Sequence, residues 1–245
     1  MVHKAKIKMN TRTQLLLGEA GMKHLQDAHV LVVGLGGVGG AALEMIARAG
    51  VGKLTIVDAD TVNTSNLNRQ LIATRTVLEE YKSEAWRERL LSINLDLDLH
   101  VYTEFLEEDN TKQILTAAQY DFVVDAIDTI SSKVFLIHSC VELGIPIISS
   151  MGSGGKKDPS QVQLTDISKT TYCSLAKVVR RRLYKLGVKK GVMCVFSTEM
   201  IDKNAIVEVQ NEKYKRTTTG TVSYMPNLFG CWIASYVIRK ISGNE

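Results

Sequence analysis

His29-Val30-Leu31-Val32-Val33 runs directly into Gly34-Leu35-Gly36-Gly37-Val38-Gly39-Gly40 and then into Ala41-Ala42-Leu43-Glu44-Met45-Ile46. The first five residues form a short apolar, β-branched run of strand length, which predicts a buried strand. The last six open a helical pattern over Ala41–Ala49, closed by Gly50. Between them, Gly34 to Gly40 is a glycine-rich turn. A strand, a G-x-G-x-x-G turn and a helix in that order make a phosphate-binding unit. The glycines allow a tight turn, close approach of the backbone to phosphate, and close helix–strand packing. The helix start at Gly39–Ala41 offers N–H groups and a positive dipole end to an anion. Gly34, Gly36, Gly37 and Gly39 are therefore candidate nucleotide contacts.

The next strand, Leu54–Val57, ends in Asp58, where a ribose-binding carboxylate belongs. On this evidence alone the chain reads as a nicotinamide dehydrogenase. The following segment argues otherwise: Asp58-Ala-Asp60-Thr-Val-Asn63-Thr-Ser65-Asn66-Leu-Asn68-Arg69-Gln70. A dinucleotide carries only a pyrophosphate and has no use for this extra polar cluster. Arg69 has the fork geometry to hold a terminal phosphate, and Asn66 and Asn68 can bond phosphate or ribose oxygens. Lys82, at the start of the next helix, adds a further positive charge. A triphosphate makes sense of the set.

Working outward, helical patterns occupy Thr11–Asp27 (broken at Gly18–Gly21), Lys82–Ser92, Thr111–Ala118 and Val134–Leu143. Strands are expected at Leu97–Tyr102, Phe122–Ala126, Pro146–Ser150, Gln161–Asp166 and Met193–Ser197. Alternation of the two predicts an α/β fold, a Rossmann-like, mostly parallel sheet flanked by helices. Ile206–Gln210 and Thr221–Tyr224 are read as C-terminal antiparallel strands. Residues 1–245 form one domain in this reading. Asp125-Ala-Ile-Asp128 closes a later strand, at the end that faces the ligand crevice. This places Asp128 to serve Mg²⁺ on the phosphates; capping of the following helix is the alternative.

Composition narrows the class. Hydrophobic residues make up 45% and charged residues 23%, ordinary for a globular protein, and the net charge is +4. Cys140, Cys173, Cys194 and Cys231 contain no CxxC pair, against a zinc site and in keeping with a reducing, cytoplasmic compartment. The apolar part of the C-terminal segment, Leu228–Ile238, is too short to span a bilayer. A helix packed on the core or on a second subunit is expected there, with peripheral membrane association as the alternative.

The charge is unevenly placed. Between Asp166 and Glu199 there is no acid, while Lys169, Lys177, Arg180, Arg181, Arg182, Lys185, Lys189 and Lys190 supply eight cations. The remainder of the chain is therefore net −4. Within this basic crossover segment (167–198), Leu175, Val178, Val179, Leu183 and Leu186 fall on one helical face and Lys177, Arg180, Arg181 and Lys185 largely on the other. A cationic stripe on an anchored helix suits a phosphate backbone; a solvated helix face is the bland alternative.

Together, Gly34-Leu-Gly-Gly-Val-Gly39, Asp58-x-Asp60, Asn66-x-x-Arg69-Gln70, Lys82 and Asp125-x-x-Asp128 resemble the nucleotide site of the ubiquitin-activating superfamily (ThiF/MoeB type), over roughly residues 11–200. The resemblance implies adenylation of a carboxylate with ATP and Mg²⁺. Gly36, Gly37 and Gly39 would lie under the phosphates, Asp58 would hold the ribose, and Asp60 belongs to the same motif. Asn66, Arg69 and Lys82 would contact the triphosphate, and Asp128 would serve the metal and the adenylation step. Arg12 would reach a phosphate of the neighbouring subunit of a homodimer.

Within the superfamily, Arg12-Thr13 to Gly18, Gly152-Ser-Gly154-Gly155 to Pro159, Asp166-Ile-Ser-Lys169-Thr170 and Val195-Phe-Ser197-Thr198-Glu199 resemble the tRNA threonylcarbamoyladenosine dehydratases. The implied reaction activates the threonyl carboxylate as an acyl adenylate, which the neighbouring carbamoyl group attacks, closing a ring and releasing AMP. Because both groups belong to one side chain, proximity supplies much of the rate and no protein nucleophile is needed. The alternative within the superfamily is adenylation of the C-terminus of a sulfur-carrier or ubiquitin-like protein. Cys173 keeps that alternative in view, although no acid–base partner for it is visible in the sequence. A non-catalytic subunit would have little use for Arg69, Lys82 and Asp128 together. A sulfur-transfer partner and a monovalent cation are left open, since no motif marks either.

Overall fold

The structure, a computed structural model, describes residues 9–201, 203–208 and 217–244. In chain order the elements are α1 (Thr11–Asp27), β1 (His29–Val33), α2 (Gly37–Ala49), β2 (Lys53–Val57), α3 (Lys82–Ile93), β3 (Asp98–Tyr102), α4 (Glu108–Thr116), β4 (Phe122–Asp125) and α5 (Ile130–Leu143). They continue as β5 (Ile147–Ser150), β6 (Val162–Asp166), α6 (Ser174–Lys185), β7 (Met193–Ser197), β8 (Ile206–Glu208), β9 (Thr217–Thr219) and α7 (Tyr224–Ser242). A seven-stranded sheet runs β3-β2-β1-β4-β5-β7-β6, all parallel except β6, which is antiparallel to β7.

β1 lies at the centre and is buried along its whole length, as its apolar run requires. Its alternating side chains feed two cores. Val30 and Val32 join residues of α1, α2, α3 and α7 on one face; Leu31 and Val33 join α4, α5 and α6 on the other. The chain moves outward from β1 to β3 and then returns to place β4 on the opposite side of β1. This reversal opens a crevice beyond the carboxyl ends of β1 and β4, where ligands of such sheets bind.

Three expectations change. First, α2 begins at Gly37, inside the glycine run, rather than at Ala41. Gly39 and Gly40 are helical and forced small: a Cβ on Gly39 would lie 1.7 Å from the Gly34 carbonyl oxygen, and one on Gly40 would lie 2.6 Å from the Trp86 ring. Second, the partner of β8 is Thr217–Thr219 and not 221–224. Tyr224 instead starts α7, whose first turn accommodates Pro226 because no N–H is needed there. Residues 209 and 210 lie outside the described residues. Third, the basic segment connects the antiparallel neighbours β6 and β7, so it is not a parallel crossover.

α7 is a core helix, as expected. It packs along α2, and its Gly230 comes so close that a Cβ would lie 2.5 Å from the Val38 carbonyl oxygen. Among the described residues no helix is long and apolar enough to cross a membrane. α1 is kinked at Gly18, whose φ of 78° favours glycine.

Candidate functional site

The glycine turn lies at the head of the crevice, held by contacts that only a bare backbone allows. Gly34 has φ 85°, and a Cβ there would meet the Ala126 carbonyl at 2.8 Å. Gly36 N-caps α2 with no side-chain hydrogen bond, and the first turn contains no acid. The N–H groups at this helix end therefore have no side-chain acceptor, the arrangement that receives an anion.

Asp58, half-buried at the end of β2, accepts from the Leu35 N–H at 2.6 Å and the Asp60 N–H at 2.8 Å. Burial raises its pKa, and the nearby Lys82 ammonium works in the opposite direction. Lys82 itself is nearly enclosed, with 6% of its side chain exposed. It donates to Asp60 Oδ2 at 2.7 Å, while Asp60 is 69% exposed. Asp58, Asp60 and Lys82 thus form one linked group beside the turn, with its outer carboxylate open to solvent.

Arg69 also lies beside the turn. Its Nη1 donates to the Ser65 carbonyl at 2.7 Å and to Asn68 Oδ1 at 2.8 Å. Its own carbonyl lies 3.4 Å from where a Gly37 Cβ would be and accepts from Asn227 Nδ2 at 3.2 Å. Burial lowers the guanidinium pKa, and the Asp128 carboxylate is close enough to raise it again. Arg69 and Asp128 are therefore within electrostatic reach of each other. Asp128 is exposed and lies one residue before Thr129, the N-cap residue of α5. Asn66 is buried, and its Oδ1 accepts from the Asn63 N–H, shaping the 64–66 turn that carries Arg69.

Arg12 stands apart from these groups. Two residues before it, Asn10 packs against Gly50 at the far end of α2. The 13 residues of α2 separate that end from the glycine turn by about 20 Å. Arg12 is consequently out of reach of its own chain's crevice.

Of the expected cationic stripe on α6, Lys177, Arg181 and Lys185 are exposed. Arg180 departs from the expectation. It is half-buried and donates to the Thr170 carbonyl at 2.9 Å and to Thr170 Oγ1, tying α6 to the preceding loop.

Several groups escaped the sequence reading. Lys133 is wholly buried, 2.7 Å from the equally buried Asp125, and also donates to Ser149 Oγ and the Ser150 carbonyl. A signal was present, because Lys133, Ile137 and Cys140 share one buried face of α5 and a cation there requires a partner. Gln70 Oε1 and Asn227 Oδ1 are buried without a hydrogen-bond partner, Gln70 directly against Gly36. Gln70 closes the Asn66-x-x-Arg69-Gln70 motif but was given no role there, and no sequence pattern announced Asn227.

Cys173 N-caps α6, its sulfur accepting from the Ala176 N–H at 3.5 Å. The structure supplies the neighbour that the sequence did not reveal. The ammonium of buried Lys156 has its pKa lowered by burial and raised back by Cys173 and Glu199, and it donates to the Glu199 carbonyl. Cys194 is core, its thiol pushed up to about 12 by burial. Among the described residues no group of three metal-ligating side chains occurs. A site for Mg²⁺ would therefore rest on one carboxylate plus phosphate oxygens, a coordination that suits this ion.

With this geometry in place, the comparison with known proteins is decisive. The ThiF family model matches residues 9–245. The chain belongs to the ThiF family. Among the relatives of this ThiF-family chain, the tRNA threonylcarbamoyladenosine dehydratase of Bacillus subtilis is 36% identical over 238 residues, covering 94% of this chain and 93% of its own. The crystal structure of the E. coli tRNA N6-threonylcarbamoyladenosine dehydratase in complex with ATP superposes with a TM-score of 0.87 at 35% identity, covering 96% of this chain and 94% of that one. An adenylyltransferase and sulfurtransferase of Ogataea parapolymorpha is 35% identical over 163 residues, but these are only 65% of this chain and 41% of that protein.

Proposed function

We propose that this chain, as one adenylating domain, dehydrates threonylcarbamoyladenosine in tRNA at the expense of ATP. The observation that carries the reading is the set of charged groups beside the glycine turn: Asp58, Asp60 and Lys82 linked at Leu35, and Arg69 next to Gly37 within electrostatic reach of Asp128. A dinucleotide needs one acid there; an ATP that must lose pyrophosphate needs cations and a metal-bearing carboxylate. Coverage of more than nine-tenths of both the Bacillus subtilis and the E. coli dehydratase supports the substrate. Partial coverage by the sulfurtransferase relative leaves activation of a carrier protein as the weaker reading.

In this proposal the threonyl carboxylate attacks the α-phosphate of ATP and releases pyrophosphate; the adjacent carbamoyl group then attacks the acyl carbon and expels AMP, so that the modified nucleoside loses one water. Gly34, Gly36, Gly37 and Gly39 keep side chains out of the phosphate path, and the start of α2 directs N–H groups at it. Asp58 holds the ribose and, through Leu35 and Asp60, the shape of the turn. Asn66 supports the turn that presents Arg69; Arg69 and Lys82 neutralise phosphate charge, and Asp128 holds Mg²⁺.

Arg12 serves the second copy of a homodimer. Leu15 and Leu16, on the same face of α1 and 82% and 83% exposed, provide the apolar surface for that contact. Lys177, Arg181 and Lys185 face the tRNA, and Arg180 positions their helix. A cytoplasmic setting follows from that substrate. The test is incubation with ATP, Mg²⁺ and threonylcarbamoylated tRNA, then mass spectrometry of the nucleosides. Loss of one water from the modified nucleoside is expected. An unchanged nucleoside despite ATP turnover refutes the substrate, and activity lost on Cys173→Ala would favour the carrier-protein reading.

A further inference from the structure

α6 presents more than charge. Lys177, Arg181 and Tyr184 follow at i, i+4 and i+7, so they lie on one helical face, with Lys185 beside them. Ala176, Val179 and Leu183 anchor the opposite face in the core. Tyr184 takes no part in that anchoring and is 61% exposed. Lys189 lies over its ring, 5.5 Å from the centroid.

A second tyrosine, Tyr172, precedes the helix and is 67% exposed, with its backbone in the left-handed region at φ 52°. A tyrosine ring left mostly in water contributes little to folding. Two such rings bracket an acid-free cationic helix. Tyr184 lies ten residues, about 15 Å of helical rise, beyond Ser174 at the start of α6, and Tyr172 lies two residues before that start.

The surface also adjoins the crevice. Arg182 Nη1 lies 3.1 Å from Ser131 Oγ, in the first turn of α5 and three residues beyond Asp128. Charge complementarity selects a polyanion, and the aromatic rings refine the choice. In a duplex the base faces are already stacked and a tyrosine would meet only phosphates and groove edges. In a single-stranded loop the bases are free to splay out and lie on aromatic side chains.

We propose that Tyr184 is a stacking platform for an unpaired base of a loop RNA, with Lys177, Arg181 and Lys185 holding the phosphates on either side of that base. The inference rests on the reading of α6 as the RNA-facing surface and adds to it a selection for single-stranded over paired RNA. Tyr172 extends the same surface toward the start of the helix.

The test compares binding of the full chain to an RNA stem-loop and to a fully paired RNA duplex of equal length, at one fixed salt concentration. Tyr184→Phe should keep the affinity of the unaltered chain for the stem-loop. Tyr184→Ser should lose roughly 5- to 100-fold on the stem-loop, as expected for one lost base–aromatic stack, and bind the duplex unchanged. Thermal melting of both variants checks that the helix remains folded. Stem-loop binding unaffected by Tyr184→Ser overturns the inference, and so does an equal loss on loop and duplex. Failure of the underlying reading has a different signature. If Lys177→Gln with Arg181→Gln leaves the affinity for both RNAs unchanged, α6 is not the RNA surface and the stacking assignment falls with it.

Discussion

Lys133→Met is the perturbation whose consequence can be worked most fully. The Lys133 and Asp125 side chains are both 0% exposed and 2.7 Å apart. The ammonium donates three times, to Asp125 Oδ2, to Ser149 Oγ at 3.2 Å and to the Ser150 carbonyl at 2.9 Å. Methionine keeps the length and removes all three bonds. The carboxylate is left with the Ser149 hydroxyl at 2.6 Å and the Ile127 N–H at 3.1 Å, and with no countercharge. Removing one partner of a buried ion pair costs about 3–5 kcal/mol. At about 2–4 °C per kcal/mol for a domain of this size, the melting temperature should fall by about 6–20 °C.

Removing both charges, as in Lys133→Met with Asp125→Leu, should recover much of that loss, because the desolvation penalty disappears with the charges. The cycle is read by thermal melting and by urea titration. The same cation joins the ends of β4 and β5, and Asp125 Oδ1 fixes the turn leading to Asp128. Lys133→Met should therefore also slow adenylation well below its melting point. A single variant within about 1 kcal/mol of the unaltered protein, or a double variant no better than the sum of the singles, would refute the reasoning.

Four further outcomes are expected. Gly39→Ala should destabilise by about 3 kcal/mol or more, since its methyl group would occupy the Gly34 carbonyl oxygen; chemical denaturation measures this. His29 has its pKa lowered below 6.5 by burial, then by His100, and its Nε2 is 2.8 Å from Thr55 Oγ1. Its protonation therefore favours the unfolded chain. Stability should decline as pH falls from about 6.5 through the lower folded value, and His29→Gln should flatten that part of the melting-temperature profile. Replacing Lys177, Arg181 and Lys185 together by Gln should reduce the slope of log affinity for tRNA against log salt by about 2, measured by filter binding. Mixing Arg12→Ala chains with Asp128→Asn chains should restore about a quarter of the full activity if each site of a two-fold dimer borrows Arg12 from its partner; absence of any recovery would remove the shared site.

Much of the candidate site was legible because its motifs are local. The run from His29 to Gly40 contains its own strand, turn and helix, and Asp58, Arg69 and Asp128 each follow a recognisable strand end or turn. Boundaries were less legible. The start of α2 at Gly37 depends on what lies opposite, the Gly34 carbonyl and the Trp86 ring, neither of which has a signature in the glycine run. Arg180 and Arg181 are neighbours in a charge run, yet one is pinned to Thr170 and the other faces solvent, a difference set by the loop before the helix. Cys173 looked isolated because Lys156, which lies near it in space, is 17 residues away in the chain.

The sequence by itself determined the alternation of strands and helices, the glycine turn and the types of charged residue available, because hydrophobic period and backbone freedom are properties of short segments. Tertiary structure alone decided which charges meet. The order of strands around β1 brings Asp58, Arg69 and Asp128 to one crevice, pairs Lys133 with Asp125 in the dry interior, and sends Arg12 to the far end of α2. Those outcomes depend on chain crossings that join residues distant in sequence, and no local pattern encodes them.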